Sequence, residues 1–431
     1  MSPDDAAHAG AEAVLAKKRR YMIPCVYHFY RDPPVMVRGE GLYLIDSEGR
    51  RYLDLYAGVS VHALGHCHPE VTDAVCRQAK TLQHSTTIYL TEPIVDLAEA
   101  LAGVLPGDLS RTFFCASGSE ANEGAALLAT LATGRTGLFA LENGLHGRTK
   151  LGMSLTGLAL WRTDPEPVPG VRLVPAPICR RCTFCKTHGA CDFECVAAVE
   201  RAIAESPADP PAAMFVEPIQ GNGGIQVPPP EYFPRLREVL QRHGVLLVAD
   251  EVQTGFGRTG AMFALSHWGV VPDILTGGKA LGGGTPIGFF STTDRIAAAY
   301  TRPGASTFGG NPVTATAGLA FLRILKRDGL VERAASLGRF LKARLEALAA
   351  RLPAIETVRG VGLMIGVEIA GAPDKAAAAT DQALEEMMKA GYLLGKTGSG
   401  RNVLTFMPPL VIGQAELEGA VDALEQVLGR L

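Results

Sequence analysis

The chain has 431 residues, 47% of them hydrophobic and 20% charged, with a formal net charge of −3 and a pI near 6.4. That is the balance of a globular protein with a sizeable core, long enough for two domains. No basic stripe points to nucleic acid, no polybasic arm points to a membrane surface, and no apolar run approaches the length of a membrane span.

The opening stretch, MSPDDAAHAGAEAVLAKKRR, carries acids early and has no apolar segment before a cleavage site. It reads as an exposed helical lead-in and not as a secretory signal, so a cytoplasmic protein is expected. Residues 35–55 alternate apolar and polar around a turn at Asp46-Ser47-Glu48-Gly49 and predict a small β-meander. Residues 69–82 and 94–105 predict helices, with Pro93 suited to an early helical position of the second. Arg111–Cys115 predicts a strand running into Ser117-Gly118-Ser119 and then an Ala/Leu-rich helix to about Thr133. Residues 137–141 predict the next strand, followed by Leu145-His146-Gly147. Further strands are expected at 213–216, 245–249, 274–276 and 287–291, with a helix at 232–243 closed by Gly244. Strands alternating with helices argue for an α/β fold with a largely parallel sheet covered on both faces. A long helix starts at Pro312, and beyond it lies a strand at 362–369 among further helices. These assign residues 1–60 to the N-terminal part of a smaller α+β domain, 61–324 to a large domain and 325–431 to the rest of the small one.

Of nine cysteines, Cys25, Cys67, Cys76 and Cys115 are scattered and read as reduced core residues. The other five, Cys179, Cys182, Cys185, Cys191 and Cys195, crowd one short insert with His188. Such a set suits a structural zinc or an iron–sulfur cluster, or else a reduced loop.

The chemistry concentrates between Val245 and Gly284. Asp250 ends an apolar strand at the carboxyl edge, where open α/β sheets place ligands. A carboxylate there needs a cationic partner. Asp250 either caps its turn, pairs with an arginine such as Arg258, or meets a bound cofactor. Lys279, between Gly277-Gly278 and Gly282-Gly283-Gly284, has little bulk around its backbone and suits a Schiff base with an aldehyde. Ser117, Gly118 and Ser119 open a helix and form either an anion cradle or an ordinary cap. Leu145-His146-Gly147 follows a strand end and could present a residue to a flat ring. Thr307, in the loop before Pro312, offers a further hydroxyl for a phosphate.

With these features in that order, the chain from about Val35 (VRGEGLYLID) to Ile412 (MPPLVI) resembles the class III (ω) aminotransferases of the fold-type I pyridoxal phosphate enzymes, nearest to alanine–glyoxylate and ω-amino acid–pyruvate members. The resemblance implies pyridoxal 5'-phosphate held in a homodimer. It makes Gly118 and Ser119 phosphate ligands, Asp250 the partner of the ring nitrogen, Gln253 a contact of the ring hydroxyl and Val252 a cover for one ring face. Lys279 becomes the Schiff-base lysine and proton shuttle, and Thr307 reaches the neighbouring subunit's phosphate. Glu217 matches the acid the family keeps at that strand end to order the site. Tyr30 and Tyr89 are candidates for the substrate pocket.

Three positions depart from the family pattern. Leu145 stands where an aromatic is usual, Asn222 where many members carry Glu, and Thr405 where many carry the arginine that clamps the substrate carboxylate, with Arg401 close by. Loss of a bidentate clamp argues against a glutamate/2-oxoglutarate half-reaction and for pyruvate or glyoxylate as acceptor. An ammonia-lyase, racemase or decarboxylase on the same scaffold uses the same Asp250 and Lys279, and a non-catalytic binding protein would need neither.

Overall fold

In the computed structural model, residues 10–182, 184, 191–206 and 210–430 are described. The alternating N-terminal stretch forms β1 (Met36–Glu40), β2 (Tyr43–Asp46) and β3 (Arg51–Asp54), an antiparallel meander. Asp46 ties its tight turn by accepting from the Glu48 and Arg50 N–H groups, each at 2.9 Å.

The apolar runs that follow become β4 (Arg111–Cys115), β5 (Gly137–Leu141), β6 (Val171–Val174), β7 (Pro211–Val216), β8 (Leu246–Asp250), β9 (Ile274–Gly277) and β10 (Gly288–Thr292). They form one sheet in the order β4-β10-β9-β8-β7-β5-β6. Only β10 runs against its neighbours β4 and β9; the other pairings are parallel. β5 and β7 are buried at every position, as continuous apolar strands covered on both faces should be.

The period of two sorts β7 cleanly. Ala213 and Phe215 pack with Ala125, Ala129 and Val248 on one face, while Met214 and Val216 pack with Val199, Leu236 and Leu247 on the other. Each large apolar side chain buried this way contributes about 1.5–3 kcal/mol. Helix Gly118–Thr133 lays a small-residue face, Ala121, Asn122, Ala125, Ala126 and Ala129, against the sheet. Its chain leaves through Gly134 at φ 69°, and helix Tyr232–Arg242 is likewise followed by Gly244 at φ 63°.

The C-terminal part adds β11 (Ile355–Val361), β12 (Met364–Ile369), β13 (Tyr392–Leu393), β14 (Gly395–Thr397) and β15 (Val403–Phe406). β11, β12, β15 and β14 form a second, antiparallel sheet. β13 instead pairs in parallel with β3, so the two chain ends share one small sheet. Strands without a long apolar run, β6, β11, β13, β14 and β15, escaped the sequence reading.

Among the scattered cysteines only Cys115 is buried; Cys25, Cys67 and Cys76 are exposed, against the expectation of core residues. Cys76 rides helix Pro69–Thr81, whose one fully buried side chain is Val71. Among the described residues no helix is long and apolar enough to cross a membrane.

Candidate active site

β4, β5, β7, β8 and β9 are mutually parallel, so their carboxyl ends open onto one edge of the sheet. In order, the residues just beyond or at those ends are Ser117-Gly118-Ser119, Leu145-His146, Glu217, Asp250 and Lys279. Five separate strand ends thus deliver the candidate residues to one place.

Asp250 is the centre of a buried network. Its Oδ2 lies 2.8 Å from His146 Nδ1 and accepts from Asn122 Nδ2 at 2.8 Å, while its Oδ1 accepts from the Val252 N–H at 3.1 Å. Asn122 also donates to the His146 carbonyl and accepts from the Thr276 hydroxyl, both at 2.8 Å. Burial disfavours the His146 imidazolium, but the bond to Asp250 outweighs it and raises the histidine pKa overall. His146 is therefore packed behind the carboxylate. Leu145, the residue before it, is half-buried at the same sheet edge.

Glu217 accepts from the Leu145 N–H at 2.7 Å and from the Gly221 N–H at 3.0 Å, lacing the ends of β5 and β7 together. Burial pushes its carboxyl up to about 7. Glu251 turns away from the site: it accepts from Ala264 and Leu265 N–H groups at 3.0 and 2.8 Å and from the Thr254 hydroxyl, holding residues 251–265 in a compact turn. Arg258 does not pair with Asp250. Its guanidinium donates to the Leu363 and Pro408 carbonyls at 3.0 and 2.5 Å, and so fastens the large sheet's turn to the second sheet.

Lys279 sits at φ 42°, a left-handed backbone that a side chain adopts at a cost. Burial pushes its amine pKa down, with Asp250 and Glu217 opposing. A Cβ at Gly118 would come within 2.8 Å of Val252 Cγ1, and one at Gly147 within 2.6 Å of Ser119 Oγ. The helix start, Val252 and the His146 turn therefore crowd one spot. Ser117 Oγ caps that helix by accepting from the Glu120 N–H at 3.2 Å, and Ser119 Oγ accepts from the Arg148 N–H at 3.1 Å. Gln253 is buried and its Nε2 lies 3.6 Å from Met407 Sδ. Thr307 is exposed, and among the described residues no hydrogen bond ties its hydroxyl to this edge.

The set matches pyridoxal phosphate in chemistry. It offers a carboxylate fixed for a ring nitrogen, an amine with lowered pKa for an aldehyde, a helix start with glycine and hydroxyls for a phosphate, and the apolar Val252 and Leu145 for ring faces. A family model, aminotransferase class III, matches residues 29–428.

The chain belongs to the class III aminotransferases.

This class III aminotransferase is pyridoxal phosphate-dependent, with the fold-type I architecture. It is 42% identical to the acetylornithine aminotransferase of Mycobacterium tuberculosis over 98% of both chains. It is 37% identical to an Arabidopsis thaliana protein, alanine–glyoxylate aminotransferase 2 homolog 2, over 98% of this chain and 88% of that one. The solved amine transaminase of an uncultivated Pseudomonas species in its PLP-bound form superposes with a TM-score of 0.87, at 34% identity, covering 93% of this chain and 96% of that one.

The aminotransferase has no metal centre among its described residues: no group of three or more His, Cys, Asp or Glu side chains is placed to hold an ion. The zinc or iron–sulfur expectation is thus unsupported. Cys195 is in the first turn of helix Glu194–Ala204, in the core with Val199 and Tyr232, and burial pushes its thiol up to about 12. Cys191 Sγ accepts from the Phe193 N–H at 3.3 Å, and Cys179 Sγ lies 3.7 Å from the Pro177 carbonyl. Cys182 is half-buried, and Cys185 and His188 lie outside the described residues.

Two site residues escaped the sequence reading. Asn122 carried a signal, being the one polar residue on an otherwise Ala/Leu buried helix face. Thr276, inside β9, carried none.

Proposed function

We propose that this aminotransferase moves the amino group of an ω-amino acid to a 2-oxo acid such as pyruvate or glyoxylate. The observation that carries the reading is Thr405. It is fully buried, and its hydroxyl lies 2.8 Å from that of Thr397, so the position that bears a carboxylate clamp in many relatives is sealed. A glutamate/2-oxoglutarate exchange leans on that clamp. Asn222, in place of a glutamate, removes the usual counter-charge beside it. An alanine–glyoxylate aminotransferase homologue among the relatives points the same way. Acetylornithine, named for the mycobacterial relative, has its free amine remote from its carboxylate.

Bound at the sheet edge, pyridoxal phosphate supplies an aldehyde that condenses with amines and a protonated ring that takes up an electron pair. The chain's residues then divide the work. Asp250, held by His146 and Asn122, keeps a proton on the ring nitrogen. Lys279, its amine pKa lowered by burial, would hold the cofactor's aldehyde carbon and would take the proton from the substrate carbon that bears the amine. Ser117, Gly118 and Ser119 hold the phosphate, Gln253 the ring hydroxyl, and Val252 and Leu145 the two ring faces. Glu217 keeps Leu145 in place.

The same reading makes the enzyme a homodimer in which Thr307 reaches the phosphate of a second copy. Apolar side chains left bare on one chain support this: Ile88 is 82% exposed, Leu90 96% and Phe308 62%. The division into 1–60, 61–324 and 325–431 follows the same scheme and is supported by the pairing of β13 with β3.

A donor-by-acceptor panel with the holoenzyme tests the assignment. Turnover of ω-amino acids with pyruvate or glyoxylate above that with 2-oxoglutarate is expected. A preference for 2-oxoglutarate refutes the acceptor choice, and ammonia released without any acceptor moves the chemistry to a lyase.

A further inference from the structure

We propose that His62 is a positioning residue for Lys279: its neutral imidazole props the glycine run that follows the lysine and so fixes the turn that carries the reacting amine. The inference rests on the aminotransferase reading.

Lys279 heads a short turn, Lys279–Gly282, that leads into Gly283 at φ 53° and Gly284 at φ 112°. Successive glycines make a soft stretch of backbone. Its hydrogen bonds are local: the Gly283 N–H donates to the Ala280 carbonyl at 3.1 Å, and the Thr285 N–H to the Gly282 carbonyl at 2.9 Å. Two side chains approach the last two glycines from outside the loop. A Cβ on Gly283 would meet Val71 Cγ1 at 3.9 Å, whereas one on Gly284 would stand 3.2 Å from His62 Cε1. His62 is the side chain pressed against the run.

The other edge of the ring meets strained backbone. Ala57, Gly58, Val59 and Ser60 form a left-handed turn, at φ 49°, 60°, 65° and 65°. That hand is disfavoured for residues with a Cβ. A Cβ on Gly58 would stand 3.1 Å from His62 Cδ2. Asp54 pins the start of the turn. Its Oδ1 accepts from the Tyr56 and Ala57 N–H groups at 2.9 and 2.8 Å, and its Oδ2 lies 2.9 Å from His66 Nε2. The His66 ring centroid is 4.3 Å from that of His62. At the far end the Ser60 hydroxyl donates to Met407 Sδ at 3.0 Å, the sulfur that lies 3.6 Å from Gln253 Nε2. A turn held at both ends keeps its strain, and His62 passes that rigidity to the lysine loop.

His62 Nδ1 is buried and has no hydrogen-bond partner among the described residues. An imidazolium needs acceptors for both ring nitrogens. Burial, and then the neighbouring His66, hold the His62 pKa below its ordinary 6.5, with Asp54 opposing. The 57–60 turn and the 282–284 run packed against the ring carry no ionisable side chain, and Arg258 acts in turn on Asp54. Neutral, the ring fits its slot. Protonated, it is a cation short of an acceptor, and the softest wall, the glycine run, gives way. The support is whole above pH 6.5 and is lost as the pH falls below it.

The test compares wild-type holoenzyme with His62→Gln, which keeps the reach of the side chain without a titrating ring, and with His62→Ala, which leaves the glycine run unsupported. At pH 8, His62→Ala should lose about tenfold in kcat, or about 1.4 kcal/mol in the barrier, with KM for donor and acceptor within about twofold. His62→Gln should stay within about twofold of wild type in kcat at that pH. Below pH 6.5 wild-type kcat should fall, and His62→Gln should hold its activity about one pH unit further. The pH midpoint of the cofactor's visible absorbance, which reports the Lys279 nitrogen, should move in His62→Ala and stay in His62→Gln. A side chain that merely filled space would lower the melting temperature and move none of these. The proposal is overturned if wild type and His62→Gln share one acid limb, or if His62→Ala keeps the wild-type kcat and absorbance midpoint. If His62→Ala does not fold, the acid limb of His62→Gln decides alone. A wild-type holoenzyme that transaminates no donor sinks the aminotransferase reading instead, and the absorbance titrations still decide the role of His62.

Discussion

Replacing Asn122 by Leu tests the buried network around Asp250. Leu shares the branching of Asn and suits the apolar helix face, but its methyl groups cannot sit 2.8 Å from oxygen, so overpacking adds to the loss. The substitution removes three hydrogen bonds of 2.8 Å, to Asp250 Oδ2, the His146 carbonyl and the Thr276 hydroxyl. Asn122 is 1% exposed, so no water replaces them. Asp250 keeps His146 and Val252 as partners, whereas the Thr276 hydroxyl loses the only acceptor shown for it. Buried groups stripped of partners cost about 1–3 kcal/mol each, and the bond to a charged acceptor lies at the upper end. A loss of about 3 kcal/mol follows once the extra apolar burial of Leu is set against it. The assay is urea unfolding of the apoprotein by circular dichroism, with cofactor retention of the holoenzyme measured alongside. The midpoint should fall and the cofactor should dissociate faster, because Asp250 is freer to turn. A loss below about 0.5 kcal/mol, the range of an ordinary surface change, would refute the network's role.

Lys279→Met should abolish turnover yet stabilise the apoprotein at neutral pH. Burial lowers the lysine pKa, so at pH 7 the native state bears a penalty for this amine that Met does not carry. Each tenfold of that penalty is worth about 1.4 kcal/mol. The gain should shrink as pH rises through the native pKa toward the unfolded value near 10.5, and its absence at pH 7 would refute the burial argument. Glu217 has the opposite sign of charge. Its native pKa is raised from 4.5 to about 7, so the native state holds a proton that the unfolded chain has lost. Its contribution to stability must fall as pH rises across that window. Glu217→Gln apoprotein should show a shallower decline there than wild type, by up to about 1.4 kcal/mol per pH unit, in parallel urea titrations.

Six of the seven strands of the large sheet were legible as short apolar runs between turn residues, whereas β6, with Val174 its one buried residue, was not. Arg111–Cys115 and Gly137–Leu141 were read to the residue, and β8 was one residue out because the acid Asp250 completes the strand. β14 and β15 were not legible: they hold by pairing with β12 and with each other, and Gly395-Lys396-Thr397 has no apolar rhythm. The chemistry-bearing residues of the site could be picked out because acid, lysine and glycines sit at strand ends. Their partners could not. That His146 serves Asp250 from behind, and that Asn122 and Thr276 complete the ring of bonds, depends on crossovers that bring residues 122, 146, 250 and 276 together. Arg258 shows the converse error: a cation near an acid in sequence spends its hydrogen bonds on carbonyls of the other sheet.

The pairing of β13 with β3 bears on how the polypeptide is made. Leu53 and Leu55 donate to the Gly391 and Leu393 carbonyls at 2.8 and 2.9 Å, and the Met407 N–H donates back to Leu55 at 2.7 Å. The N-terminal meander therefore waits on the ribosome for partners synthesised more than three hundred residues later. During that interval its edge is bare and open to wrong pairing. A protein shortened at its carboxyl end would keep the exposed meander for life, and chaperone dependence should grow with such truncations before any residue of the cofactor site is lost.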